Sequence, residues 1–464
     1  MNTETKFIET FDLVLTGLFQ KNSKLFQRDC KTRRLSQAMK ICAALYCLSI
    51  GTANAQISME KNGWKADING LISVWGGNEN FSAATGRPQE STQRVRTGFN
   101  PSKLEVTAHA PEYNGINVSG YFQLAASING NKSQRTGEQI EVRGADLSIS
   151  SQYGTFSAGR NFNIYGSLPI ANDTGSMRGV GYLCTGPDGN GPNCGHIGTG
   201  YTWSDFSAGL RYTSPRVSGF QVRLGVYDPI ETAFGTPGGG TPFIGLSNGT
   251  FTNFTSIGSA IETRPLFQGD INWASSPFAL GGGATGSALV WLGGLNQRIK
   301  DLGNSSDSAH IKGFNLGSRL TAKAPLGVFG LTTNYEKTFG VAEGFMGFGA
   351  RCTVGGCDTV RGQQWYVNAD YTFAGKTTFG TSFGRGWENA NAFIGNDNVK
   401  RRLWVAYIQH QLTPNVNINL ELQRYRRSTD GAGNAAGIFP GQERYVAGLL
   451  GVEFRFCNFS SQLP

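Results

Sequence analysis

The sequence predicts an all-β fold, a transmembrane antiparallel barrel of sixteen strands with short turns at one end and long loops at the other. Three observations lead there. Apolar and polar residues alternate with period two along most of the chain, the connections are by turns short and long, and a segment built like an export signal precedes them. Composition agrees. Gly contributes 65 of 464 residues, and charged residues are 16% against roughly 25% in an ordinary soluble domain. Aromatics reach 11%, too many for a disordered chain.

The first element is the export signal. Lys31, Arg33, Arg34 and Lys40 precede the apolar run Ile41 to Ile50, and Ala53-Asn54-Ala55 supplies small residues for cleavage after Ala55. The apolar run falls far short of the roughly 20 residues a spanning helix needs. Tyr46 before Cys47 does not suit a lipoprotein processing site. Residues 1–55 are therefore expected to be a leader and cleaved signal peptide, with initiation near Met39 or an upstream start placed too early, since some thirty residues precede the basic segment, and 56–464 the barrel.

The strands follow. In Trp64, Ala66, Ile68, Gly70, Ile72 and Val74 one face is apolar, while Lys65, Asp67, Asn69 and Ser73 fill the other. The same split separates Val416, Ile418, Leu420 and Leu422 from Asn417, Asn419, Glu421 and Gln423. Strands are expected at 64–75, 100–111, 115–127, 139–151, 155–160, 206–214, 219–228, 266–276, 286–297, 311–324, 328–339, 362–373, 377–386, 400–412, 416–425 and 443–456. A soluble sandwich could alternate in this way too, but it mixes loop lengths at both ends. Here turns such as Tyr113-Asn114-Gly115, Gln152-Tyr153-Gly154, Ala374-Gly375-Lys376 and Thr413-Pro414-Asn415 alternate with long stretches at 76–99, 161–205, 229–265, 298–310, 340–361, 387–399 and 426–442. Membrane barrels show that asymmetry.

Beyond residue 55, Cys184 and Cys194 form one close pair and Cys352 and Cys357 another, each in a Gly-rich stretch. Export into an oxidising compartment makes two loop disulfides the expectation. His196 is the only His near either pair, so zinc is not expected, nor any other metal or cofactor. Removing the 8 Lys+Arg and 4 Asp+Glu of residues 1–55 from totals of 41 and 32 leaves 33 against 28, a net of +5. That excess is not clustered on any helix face, and no nucleic-acid partner is expected.

Ser102-Lys103-Leu104-Glu105-Val106, Gly115-Ile116-Asn117-Val118 and Tyr121-Phe122-Gln123-Leu124 resemble the second and third strands of general diffusion porins. Gly154-Thr155-Phe156-Ser157-Ala158-Gly159-Arg160-Asn161 resembles the strand leading into their constriction loop, and Arg211-Tyr212-Thr213-Ser214-Pro215 the strand returning from it. Leu412-Thr413-Pro414-Asn415 and Gly448 to Phe456 extend the similarity, which covers 64–456.

The resemblance implies that 161–205 folds into the lumen and narrows it. Asp173 and Asp188 of that segment would face a basic wall, with Lys103 and Arg160 on family positions and Arg211, Arg223 and Arg319 as further candidates. It also implies a homotrimer in outer-membrane lipid and lipopolysaccharide, with a terminal aromatic signal, here Phe454 and Phe456, read by the barrel-assembly machinery. The expected function is passive diffusion of small hydrophilic solutes and ions with weak anion preference. A substrate-specific channel for sugar, phosphate or organic anions is the alternative. A barrel enzyme is the remote one: of the four His, His410 sits in the alternation beside Ile408 without a Ser or Asn constellation.

Overall fold

The computed structural model describes residues 57–82, 90–126, 140–175, 195–229, 264–300, 308–341, 350–353, 356–389, 398–429 and 442–456. Residues 1–56, with the expected signal and its cleavage point, lie outside them. The first strands are β1 (Ile57–Lys61), β2 (Trp64–Ser82), β3 (Glu90–Arg96), β4 (Ser102–His109), β5 (Asn117–Ala126), β6 (Ile140–Ser151) and β7 (Gly154–Phe162). After a helical turn, α1 (Ser167–Ala171), come β8 (Phe206–Thr213), β9 (Phe220–Tyr227), β10 (Leu266–Ala274), β11 (Phe278–Gly281), β12 (Ala284–Lys300), β13 (Ser308–Ala324) and β14 (Gly327–Phe339). A separate ribbon of β15 (Ala350–Thr353) and β16 (Gly356–Thr359) precedes β17 (Arg361–Phe373), β18 (Thr377–Glu388), β19 (Val399–Thr413), β20 (Val416–Thr429) and β21 (Gln442–Phe456).

The 19 strands of the main sheet make sixteen wall positions. β3 and β4 share one, because β4 pairs with Lys65 to Leu71 of β2 and β3 with Trp75 to Phe81. β10 and β11 share another along β12. β1 and β21 share the last: on β2, Ile68 faces Ile57 of β1 and Gly70 faces Phe456 of β21. The pairing of β2 with β21 closes an antiparallel barrel and removes its free edges.

Tight turns carry the register from strand to strand. At Tyr113-Asn114-Gly115-Ile116 the central residues have φ of 49° and 78°, and Tyr113 and Ile116 exchange backbone hydrogen bonds. This is the hairpin turn whose twist matches the strands, and Asn-Gly tolerates it best.

The alternation is inverted relative to a soluble protein. On β20, Leu420 and Leu422 are 50% and 58% exposed while Asn419 and Glu421 are 1% and 2%. An apolar outer face and a polar inner one suit a wall with lipid outside and water within.

All sixteen expected strands are present, and several run further than expected. β2 continues through Gly76-Gly77-Asn78 to Ser82, and β3 occupies part of the expected loop 76–99. Glycine and asparagine there blank out the apolar–polar pattern, although the backbone still pairs. β1 and the β15–β16 ribbon were not expected either.

Candidate functional site

The described parts of the segment between β7 and β8, residues 163–175 and 195–205, lie across the lumen. Its two ends are clasped together: the Asn163 amide donates to the Asp205 carbonyl at 3.0 Å, and Asn163 Nδ2 donates to Ser207 Oγ at 2.9 Å. Phe162 packs edge-on against Trp203, with ring centroids 5.5 Å apart. From this root the outgoing arm meets inward faces in turn. The Ile164 amide donates to the Tyr227 hydroxyl on β9 at 3.1 Å, and the Tyr165 amide to Gln268 Oε1 on β10 at 2.8 Å. Arg223 on β9 donates to Ser167 Oγ at 2.9 Å.

Further along, the arm reaches the opposite wall. Thr332 on β14 donates to the Asn172 carbonyl at 2.9 Å, Tyr366 on β17 to the Pro169 carbonyl at 2.6 Å, and Thr174 to Asp370 on β17 at 3.2 Å. The returning arm is seated beside it. His196 Nε2 lies 2.8 Å from Ser382 Oγ on β18, Arg401 on β19 donates to the Gly198 carbonyl at 3.0 Å, and Asn334 on β14 to the Gly200 carbonyl at 2.9 Å. The two arms are joined where the Tyr201 hydroxyl donates to Asp173 Oδ2 at 2.9 Å.

Glycines of the wall make the seat. A Cβ at Gly384 would strike the Thr199 carbonyl and the His196 ring, and one at Gly386 would strike the Gly198 carbonyl. Both glycines alternate with exposed Phe383 on β18 and so face inward. Missing side chains let the backbone of the crossing segment touch the strand.

Burial holds the His196 imidazole below its ordinary pKa, partly offset by the negative charge of nearby Asp173. A neutral ring fits its partners: one nitrogen faces Ser382 Oγ and the other lies 3.2 Å from Thr199 Oγ1. Tyr366 stacks on it at 5.4 Å between centroids.

The sequence candidates divide into three groups. Lys103, Arg211, Arg223 and Arg319 do face the lumen, but each is paired with a lumenal acid. Lys103 Nζ lies 3.0 Å from Glu105, and Arg211, Arg223 and Arg319 pair with Asp146, Asp270 and Asp370. Arg223 and Arg319 also sit beneath the crossing segment, through Ser167 and Thr332. Asp173 is wholly buried as the acceptor of Tyr201 and is not presented to open lumen.

Arg160 is a correction. The register sets it opposite Ala145 and Ala208, on the face it shares with exposed Leu147, Phe156 and Leu210, so it points out of the barrel. Asp188, Cys184 and Cys194 lie outside the described residues. Cys352 and Cys357 stand directly opposite each other in the β15–β16 ribbon. Phe454 is exposed on the outer face, and Phe456 packs over Gly70 at the end of β21.

Several residues of the seat were not foreseen: Asn334, Tyr366, Ser382, Gly384 and Gly386, together with Glu336, which accepts from the Thr202 amide at 3.2 Å, and Gln364, which donates to Thr202 Oγ1 at 3.2 Å. Their inward parity is readable from the alternation, since Asn334 and Glu336 flank outward Tyr335. What they hold is not.

Comparison with known proteins places this architecture. A sequence model of Gram-negative porins matches residues 42–430. No curated protein matches the chain. Among solved structures, the chain is similar to an anion-selective porin from Comamonas acidovorans, with TM-score 0.53 at 12% identity over 85% of this chain and 100% of that one. It is also similar to the outer-membrane channel DcaP of Acinetobacter baumannii, with TM-score 0.55 at 12% identity over 86% of this chain and 99% of that one. A third likeness is to Salmonella typhi OmpF in complex with daunomycin, with TM-score 0.51 at 14% identity over 86% of this chain and 100% of that one. A family match over most of the length, on a closed sixteen-strand barrel, makes the chain a member of the Gram-negative porin family and an outer-membrane pore.

Proposed function

We propose that the protein is a passive diffusion pore for small hydrophilic solutes and ions, with weak anion preference and no catalytic role. The observation that carries this is the segment fixed across the lumen from β7 to β14, β17, β18 and β19. A sixteen-strand barrel is otherwise wide enough for an unselective aqueous channel. Weak rather than strong anion preference follows from Lys103, Arg211, Arg223 and Arg319 each having an acid beside it. What remains is the net of +5 read from 33 bases against 28 acids. The similar barrel from Comamonas acidovorans is described as anion-selective, which agrees in sign. Liposome swelling with neutral sugars of increasing size is the test: the rate should fall smoothly with size and show no saturation. Saturation by one solute would favour a substrate-specific channel.

A homotrimer is part of the same reading, and Arg160 supports it. At about 3.3 Å per residue and a tilt near 40°, it stands roughly 15 Å above the short-turn end of β7. An Arg facing lipid at mid-depth costs about 2–4 kcal/mol, a cost removed if a second subunit covers that face. Arg160→Glu should convert the proposed trimer to monomer in detergent; an unchanged oligomer would leave Arg160 in lipid and count against the trimer surface.

Export with cleavage after Ala55 belongs to this reading and is checked by sequencing the mature N-terminus, which should begin at Gln56. Disulfides Cys184–Cys194 and Cys352–Cys357 are proposed on the same basis. Directly opposed residues of an antiparallel ribbon have Cα atoms about 4.5–5.5 Å apart, within the span a disulfide bridges. Mass spectrometry finding free thiols at all four would remove them. Phe456 as the residue read by the assembly machinery is tested by truncation: loss of Cys457 to Pro464 should leave assembly intact, and loss of Phe456 as well should impair it.

A further inference from the structure

We propose that the weak anion preference is set at the short-turn mouth of the barrel, by Arg216, Lys323 and Lys376, and not at the crossing segment. This rests on the reading of an anion-preferring pore and goes beyond it by naming the residues and the end of the barrel. The bases around the crossing segment leave the preference without a source, since Lys103, Arg211, Arg223 and Arg319 each stand beside an acid. A base and an acid side by side contribute little net potential to an ion passing at a distance.

Three cations at the mouth are arranged differently. Lys323 is in phase with inward Arg319 near the end of β13, and Lys376 comes two residues before inward, buried Thr378 on β18. Both lysines are exposed, and neither makes an ion pair among the described residues. Arg216 lies in the exposed turn from β8 to β9. It donates to the Gly219 carbonyl at 2.6 Å, to Gln221 Oε1 at 3.2 Å and to Asn272 Oδ1 at 2.7 Å. All three acceptors are neutral, and Asn272 is in phase with inward Asp270 on β10, so the guanidinium is held at the lumenal side with its charge uncancelled. Among the described residues, the inward acids on the short-turn half of β8 to β18 are Asp270 and Asp370, both already paired with arginine.

The facing arc leans the other way. Lys65 Nζ lies 2.9 Å from Asp67, and His109 Nε2 lies 3.5 Å from the same carboxylate. Glu60 on β1 stands directly opposite Lys65, and Glu112 is exposed in the turn after β4. Around the wall, β13 with Lys323 stands almost diametrically across from β2. Short turns mark the periplasmic side of such barrels, so the inner mouth is positive along β8–β18 and leans negative along β1–β4. Exposure decides how far these charges act. The Debye length is about 10 Å at 0.1 M salt and about 3 Å at 1 M. At about 10 Å in water, behind one Debye length of screening, three unit charges enrich anions by about twofold. That is a weak preference, and it belongs to low salt. Charges buried beneath the crossing segment would be screened far less.

The test is the reversal potential of the full-length protein in planar bilayers, under a potassium chloride gradient centred on about 0.1 M and again on about 1 M. Wild type should show a chloride-to-potassium permeability ratio of about two at the lower salt and about one at the higher. R216Q/K323Q/K376Q should bring the lower-salt ratio to about one, and K323E/K376E, which leaves the Arg216 turn intact, should take it below one. A wild-type ratio that persists in both variants overturns the proposal, and so does a preference undiminished at the higher salt. Should the triple variant fail to insert, K323E/K376E decides, since both lysines are exposed. The two readings fail differently. A wild type that conducts with no anion preference refutes the selectivity reading and this proposal with it, whereas a preference kept by the variants refutes only its assignment to the mouth.

Discussion

At the scale of single residues, the lumen is a set of matched charges and fitted surfaces. A lumenal base left alone beneath the crossing segment would be a desolvated charge, and removing one partner of such a pair costs about 3–5 kcal/mol. Arg223 with Asp270, each almost fully buried, shows how the chain avoids this. The seat glycines act through space instead of charge. Gly386→Val places a side chain where the Gly198 carbonyl lies, so the returning arm must lift from β18. Single-channel conductance should change by about twofold or become noisy, while unchanged traces would show that the arm does not narrow the path.

His196 gives the same seat a pH dependence. Because burial lowers its pKa from 6.5, the folded seat takes up fewer protons than the free ring. Its contribution is present above about pH 6.5 and is lost as pH falls below that value. Conductance fluctuations should increase on acidification, and His196→Gln, which cannot protonate, should abolish the increase; a variant with the same pH response would acquit His196.

Residue placement was partly legible. Alternation puts Lys103, Arg211, Arg223 and Arg319 on the inward face, and Glu105, two residues beyond Lys103 on β4, is legible as its neighbour; nothing in the sequence says that Asp146, Asp270 and Asp370, on other strands, lie beside the three arginines. Arg160 is instructive in the other direction. Its parity with Phe156 marks it as outward, and the family position alone suggested the lumen.

At the scale of elements, strand existence was readable wherever side chains alternate, and strand ends were not. β20 is evident from Val416 to Leu422, whereas β2 beyond Trp75 runs through Gly76 and Gly77, which carry no face information. The break between β3 and β4 hides one wall strand as a loop followed by a shorter strand. β1 is invisible for another reason. It pairs through only five residues, beside the end of β21, and no sequence period shows two chain ends sharing one wall position. The crossing segment has no period at all, because its backbone groups are satisfied by side chains of distant strands such as Thr332, Asn334 and Tyr366.

At the scale of the whole molecule, an apolar exterior, a polar interior and a closed sheet together require a membrane outside and water within. The described arms of the segment between β7 and β8 lie across that water path. Single-channel recording in planar bilayers under a salt gradient tests the central claim most directly. Discrete conductance steps with a reversal potential of the sign for weak anion preference are predicted. A protein that inserts without conducting, or that conducts with strong cation selectivity, would contradict it.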